Sequence, residues 1–109
     1  MITTEQIDLL KVVIIKTMQP EKIYLFGSYA NGTANEHSDL DILIEVAHTD
    51  VPHVERNLEV WTEMSKTGKL IFPKDIFVYT TSEMNDWKDL KNSFINNALY
   101  NSKKLYERY

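Results

Sequence analysis

Two short apolar runs, Ile23–Phe26 and Leu40–Ile44, flank the segment that most restricts how this chain can fold. The segment opens with Gly27-Ser28 and, ten residues later, closes with Asp39-Leu40-Asp41. Each run is short enough for a buried strand, and side chains at i and i+2 of a strand share a face. Asp39 and Asp41 are therefore expected to project together, with Leu40 and Ile42 on the other side. The Gly-Ser pair ends the first run and the acidic pair begins the second. The two can meet only if the strands run antiparallel.

Asp41 lies inside an apolar run, and a lone buried carboxylate is normally neutralised or paired. Two carboxylates on one face suit a hard cation such as Mg²⁺, which prefers oxygen ligands completed by substrate phosphates. Gly27 lets backbone approach a phosphate with no Cβ in the way. Ser28 adds an N–H and a hydroxyl where a short helix can begin, and such backbone amides bind phosphate. Phosphoryl and nucleotidyl transfer depend on positioning and charge neutralisation rather than on covalent work by the protein. A third carboxylate is expected at Asp75, which opens the run Asp75-Ile76-Phe77-Val78-Tyr79. It meets Asp39 and Asp41 if that strand lies parallel to the second, which makes the sheet mixed.

This pattern resembles the nucleotidyltransferase superfamily that includes the DNA polymerase β palm, with its Gly-Ser, ten residues, Asp-x-Asp signature. More narrowly the chain resembles the minimal nucleotidyltransferase (MNT) family. Gly27, Ser28, Ala30, Gly32, Ser38, Asp39 and Asp41 match that family's motif, and the Leu105-Tyr106-Glu107 ending is also typical. Asn31 stands where the family commonly has Arg, so any phosphate or partner contact of that Arg is altered here. The resemblance implies that Gly27, Ser28 and Ser38 bind a nucleoside triphosphate, and that Asp39, Asp41 and Asp75 hold one or two Mg²⁺ ions. Asp75 also serves as general base in this reading. It further implies transfer of AMP from ATP to a hydroxyl, expected to be a tyrosine of a helical HEPN-type toxin, with this chain as the antitoxin. The alternatives are a partner-binding antitoxin with vestigial nucleotide binding, and the catalytic half of a two-chain transferase acting on a small molecule.

The 109 residues read as a single domain, 1–109, with little room for a separate acceptor-binding domain. The acceptor, or half of the site, is therefore expected from another chain, as a homo- or hetero-oligomer. The net charge of −4 and the lack of any basic run disfavour long nucleic acid. With no Cys, neither disulfides nor thiolate metal sites arise. The N-terminus lacks the regions of a signal peptide, and no apolar stretch approaches the ~20 residues of a membrane span. A cytoplasmic protein is expected. His37, His48 and His53 form no recognised metal spacing.

Along the chain, Thr3-x-x-Gln6 is a capping box and opens a helix to about Met18, stopped by Pro20. A strand over 22–26, a short helix near 29–31, a polar loop over 32–38 and a strand from about Asp39 to Val46 follow. Asp50 is expected to cap the next helix, with Pro52 in its first turn, a stripe of Val54, Leu58, Trp61 and Met64, and a stop at Gly68. Trp61 and Met64 are read as core. A third strand follows Pro73, and Thr80 to Ser82 forms a turn and cap. The remainder reads as one or two helices reaching Leu105. Its aromatics, Trp87, Phe94, Tyr100, Tyr106 and Tyr109, exceed what so small a core needs. The fold class is α/β or α+β: a small mixed sheet of three or more strands with helices mainly on one face.

Overall fold

Thr3 caps the first helix reciprocally: its hydroxyl accepts from the Gln6 N–H at 3.1 Å, and Gln6 Oε1 accepts from the Thr3 N–H at 2.8 Å. The computed structural model describes residues 1–108. Tyr109, grouped above with the late aromatics, lies outside the described residues. Helix α1 (Thr4–Met18) ends where Gln19 turns left-handed ahead of buried Pro20. Strand β1 (Lys22–Phe26), helix α2 (Ser28–Asn31) and strand β2 (Leu40–Val46) follow. Then come α3 (Leu58–Thr67), β3 (Lys74–Thr80), α4 (Thr81–Trp87), α5 (Phe94–Leu99) and β4 (Lys103–Glu107).

The strands form one sheet in the order β3-β2-β1-β4. β1 lies antiparallel to β2 and β4, and β2 lies parallel to β3, so the sheet is mixed as expected. Alternation sorts its side chains onto two faces. Ile23, Leu25, Leu40, Ile42, Ile44, Ile76 and Val78 point to the larger core, against Leu10 and Ile14 of α1 and Val60 and Met64 of α3. Fully burying such a side chain contributes roughly 1.5–3 kcal/mol. On the opposite face Leu43 meets Met84, Ile95 and Ala98 of α4 and α5, with Phe26 and Phe77 packed alongside. That second layer is small and leaves the acidic end of the sheet uncovered by a long helix.

Two local expectations are corrected. Asp50 caps no helix; its carboxylate lies 3.2 Å from His48 Nε2, and a single 3-10 turn (His53–Glu55) precedes α3. Val54 and Leu58 are exposed, and Trp61 is 39% exposed, so the buried stripe is Val60 and Met64. Polar anchors set this register. Arg56 donates to Val51 O, Val78 O and Glu83, and Asn57 Nδ2 donates to Ile76 O at 3.3 Å. Apolar periodicity carries no trace of such anchors.

The second correction concerns the C-terminal segment. α5 stops at Leu99, Asn101 adopts a left-handed φ of 61°, and 103–107 is a strand rather than a helix. Leu105 matches the helical spacing from Ile95 and Ala98 only by coincidence. The free edge of β1 supplies a ladder of hydrogen-bonding partners that outweighs this local periodicity. Leu105 and Tyr106 are packed against the larger core. No helix among the described residues is long and apolar enough to cross a membrane.

Candidate active site

The strand registers bring the predicted residues together. Phe26, the last residue of β1, is the cross-strand partner of Asp41, and Asp41 is the parallel partner of Asp75. Gly27 therefore follows Phe26 directly beside Asp41. It has a φ of 73°, and a Cβ placed on it would collide with Asp41 Oδ2. The glycine thus serves two needs at once: a backbone conformation that side chains resist, and close approach of the turn to the carboxylate. α2 begins immediately after it, with Ala30 and Asn31 N–H groups bonded back to Gly27 O at 3.0 and 3.1 Å. The first amides of a helix lack intrahelical acceptors and are left for a ligand or water.

Asp41 is partly buried, and its carboxyl is held above the usual carboxylate range. Burial is the largest cause, followed by the charge of Asp75 and then that of Asp39. Asp75 and Asp39 therefore each lie close enough to Asp41 to disfavour its charge. Asp39 and Asp75 are exposed. Among the described residues no three acidic or histidine side chains form a preassembled cage for a metal. An open cluster with one recessed carboxylate and two solvated ones still fits Mg²⁺, which keeps several waters and takes its remaining ligands from substrate phosphates. A cation held there would offset the charges of Asp75 and Asp39, which add to burial in raising the Asp41 pKa.

Other residues singled out in the sequence have other tasks. Ser38 Oγ accepts from the Asn35 N–H at 2.9 Å, so its hydroxyl braces the loop that delivers Asp39. Asn31 Oδ1 accepts from the Thr33 N–H and hydroxyl at 3.1 and 2.6 Å and closes its own turn. The Tyr29 hydroxyl accepts from the Ile2 N–H at 3.1 Å, tying α2 to the N-terminus. Lys74 does not accompany Asp75. It points to the opposite face, where Nζ donates to Leu70 O and Phe72 O at 2.7 and 3.0 Å and lies over the rings of Trp61 and Phe72. His37 is exposed beside Glu36, and His53 stacks on Tyr79.

Sequence reasoning missed the aromatic wall beside the acids. Phe26 and Phe77 lie 6.0 Å apart, and Phe94 of α5 meets both, at 5.9 and 4.8 Å. Strand alternation contained the signal: Phe26 shares a face with Asp41 through pairing, and Phe77 follows Asp75 by two.

Solved structures share this arrangement of elements. One is a candidate nucleotidyltransferase from Sulfolobus solfataricus, with a TM-score of 0.59 and 22% identity, covering 94% of this chain and 84% of the other. Another is a toxin-antitoxin with AMP-PNP, with a TM-score of 0.61 and 23% identity, covering 94% of this chain and 73% of the other. At these identities the likeness is one of fold. The class that fold and site define is a nucleotidyltransferase domain. The profile of the family described as Polymerase beta, Nucleotidyltransferase matches residues 8–109, and the chain belongs to that family. No curated protein matches it.

Proposed function

We propose that this protein transfers a nucleoside monophosphate, AMP from ATP, to a hydroxyl acceptor. The observation that carries the reading is the Phe26–Asp41–Asp75 register, which sets a Gly-Ser phosphate turn against converging carboxylates. Gly27 and Ser28 hold the triphosphate through backbone amides and the serine hydroxyl. Asp39, Asp41 and Asp75 hold Mg²⁺, which when bound neutralises the acids and withdraws charge from the α-phosphate. Asp75, exposed at the start of β3, takes the proton of the acceptor hydroxyl. The acceptor oxygen bonds to the α-phosphorus, the bond from that phosphorus to the bridging oxygen of the β-phosphate breaks, and pyrophosphate leaves with the electron pair. Ser38 acts through the Asn35–Ser38 loop that presents Asp39.

The acceptor in this reading is a tyrosine of a helical HEPN-type toxin, and the chain is its antitoxin. The fold likeness to a toxin-antitoxin with AMP-PNP supports that assignment. One observation favours a second reading, in which the chain masks its partner by contact alone. Asn31 is spent on its own turn and supplies no side-chain charge to a phosphate.

Incubating the chain with Mg²⁺, ATP and the protein encoded beside it, then measuring that protein's intact mass, separates the two. Gain of an AMP unit, lost with Asp39→Asn, is the expected result. A stable complex that gains no mass with either form overturns transfer to protein and leaves masking.

A further inference from the structure

α3 buries only one side. Val60 and Met64 face the core, while Leu58, Thr62 and Ser65 lie on the outer side. The apolar side chains left outside are Leu58, 57% exposed, and Trp61. Val54, four residues before the helix, and Ile71, four residues after it, are each 84% exposed. Beside Trp61 lies a hollow of about 590 Å³, lined also by Ser65, Gly68, Ile71 and Phe72. A Cβ on Gly68 would meet nothing within 4 Å, so the hollow is open there. On the other flank of the outer side stand exposed Glu59 and Lys66, about two turns apart. The bulky side chains and the acid thus occupy the N-terminal half of the face, and the hollow and the base its C-terminal half. An exposed apolar patch rimmed by polar residues marks an interaction site.

We propose that this face joins two copies of the chain, α3 against α3 in opposite directions about a two-fold axis. A two-fold contact has to be self-complementary, and the order of residues along α3 supplies that in the antiparallel sense alone. The exposed edge of Trp61 in each copy enters the other's hollow, where Ser65 and Gly68 are small enough to leave room for the indole. Glu59 of each copy stands by Lys66 of the other, and Val54 of each meets Ile71 of the other. A parallel arrangement would set Glu59 against Glu59 and Trp61 against Trp61, with both hollows left empty. Val54 and Ile71 lengthen the contact at both ends, toward the roughly 800 Å² that an ordinary interface takes from each partner. Tryptophan, enriched among the residues that dominate such interfaces, sits near the centre. Lys66 bonds Glu63 of its own chain at 2.9 Å, yet its side chain is exposed enough to be shared. α3 packs on the sheet face that carries Leu40, Ile42 and Ile76. Asp41 alternates to the other face, so the acids of both copies stay open in the pair.

Sedimentation velocity of the full chain over a concentration series tests this. The wild type is compared with Leu58→Glu, Glu59→Lys, Lys66→Glu and the double variant Glu59→Lys/Lys66→Glu. All three positions are exposed, and circular dichroism melts check that each variant stays folded. The wild type is expected to dimerise. Leu58→Glu is expected to weaken the dimer about a hundredfold or more, because the two-fold axis buries the new charge twice. Each single charge reversal is expected to weaken it about tenfold, since two exposed pairs are lost at once. The double variant is expected to return to wild-type affinity, because it exchanges the charges and leaves their positions alone. A wild type that stays monomeric at every concentration overturns the proposal, as does a dimer indifferent to Leu58→Glu. A double variant no better than the single ones overturns the antiparallel register. If the wild type is monomeric and binds the protein encoded beside it, and Leu58→Glu abolishes that binding, the face belongs to that partner and the second copy is excluded.

Discussion

A methyl group on residue 27 would occupy space that the Asp41 carboxylate already fills. Gly27→Ala is therefore expected to cost about 2–3 kcal/mol, from the disfavoured backbone conformation together with displacement of Asp41. Urea titration measures it, and the loss should shrink in an Asp41→Ala background, where only the backbone term survives. Asp41 itself works against the metal-free fold. Its pKa is raised in the folded state, so its contribution is favourable while it is protonated and is lost as pH rises through the raised value. Asp41→Asn should therefore raise the melting temperature of the metal-free protein at neutral pH while abolishing transfer. The gain is expected to be small, because solvent screens a carboxylate that is only partly buried. A lower melting temperature would mean that the carboxylate has a stabilising partner. The acids were legible in the sequence because strand alternation fixes which side chains share a face. The ring of Phe94 beside Phe26 and Phe77 was not, since it arrives from α5 and nothing local ties that helix to the first and third strands.

α4 shows how a short helix is held by its first turn. Thr80 caps it, Glu83 returns the bond to the Thr80 N–H at 2.8 Å, and Arg56 donates to the same carboxylate. The Arg56 side chain is 10% exposed and that of Glu83 35%. Arg56 and the Thr80 bonds outweigh desolvation and hold the Glu83 carboxyl below its ordinary value. Its contribution is thus present above the ordinary carboxylate pKa and disappears as pH falls through the lowered one. Glu83→Ala should cost about 1–2 kcal/mol at neutral pH, allowing for screening on the glutamate side of this mostly buried pair. The difference from wild type should close under acid, which denaturant melts at two pH values would show. Thr80 and Thr3 were both readable as caps, because a capping box is a local code. The start of α3 was not, because Arg56 and Asn57 answer to carbonyls on β3 and to Glu83 on α4. The last strand was hidden for a related reason: Lys103–Glu107 finds its partner in β1, about eighty residues earlier.

The sheet as a whole brings three strand ends to one point, and this much of the topology followed from the sequence. Gly27 could reach Asp39 and Asp41 only across an antiparallel pair, and Asp75 could join them only from a parallel strand. A ligand that bridges those ends ties the halves of the chain together. Mg·ATP at 100 times its Kd should therefore stabilise the native state by about 2.7 kcal/mol, read as a rise in melting temperature. ATP with a chelator should give much less if the carboxylates hold the cation. On the reverse face, Lys74 is 8% exposed, roofed by Trp61 and Phe72 and bonded to the carbonyls of Leu70 and Phe72. Burial lowers its pKa, so its amine deprotonates more readily than a surface lysine. An acylating reagent must wait for the 68–73 segment to lift before it can reach that amine. The rate at which Lys74 becomes labelled then serves as a clock for opening of the α3–β3 connection, running on a single site built into the native chain.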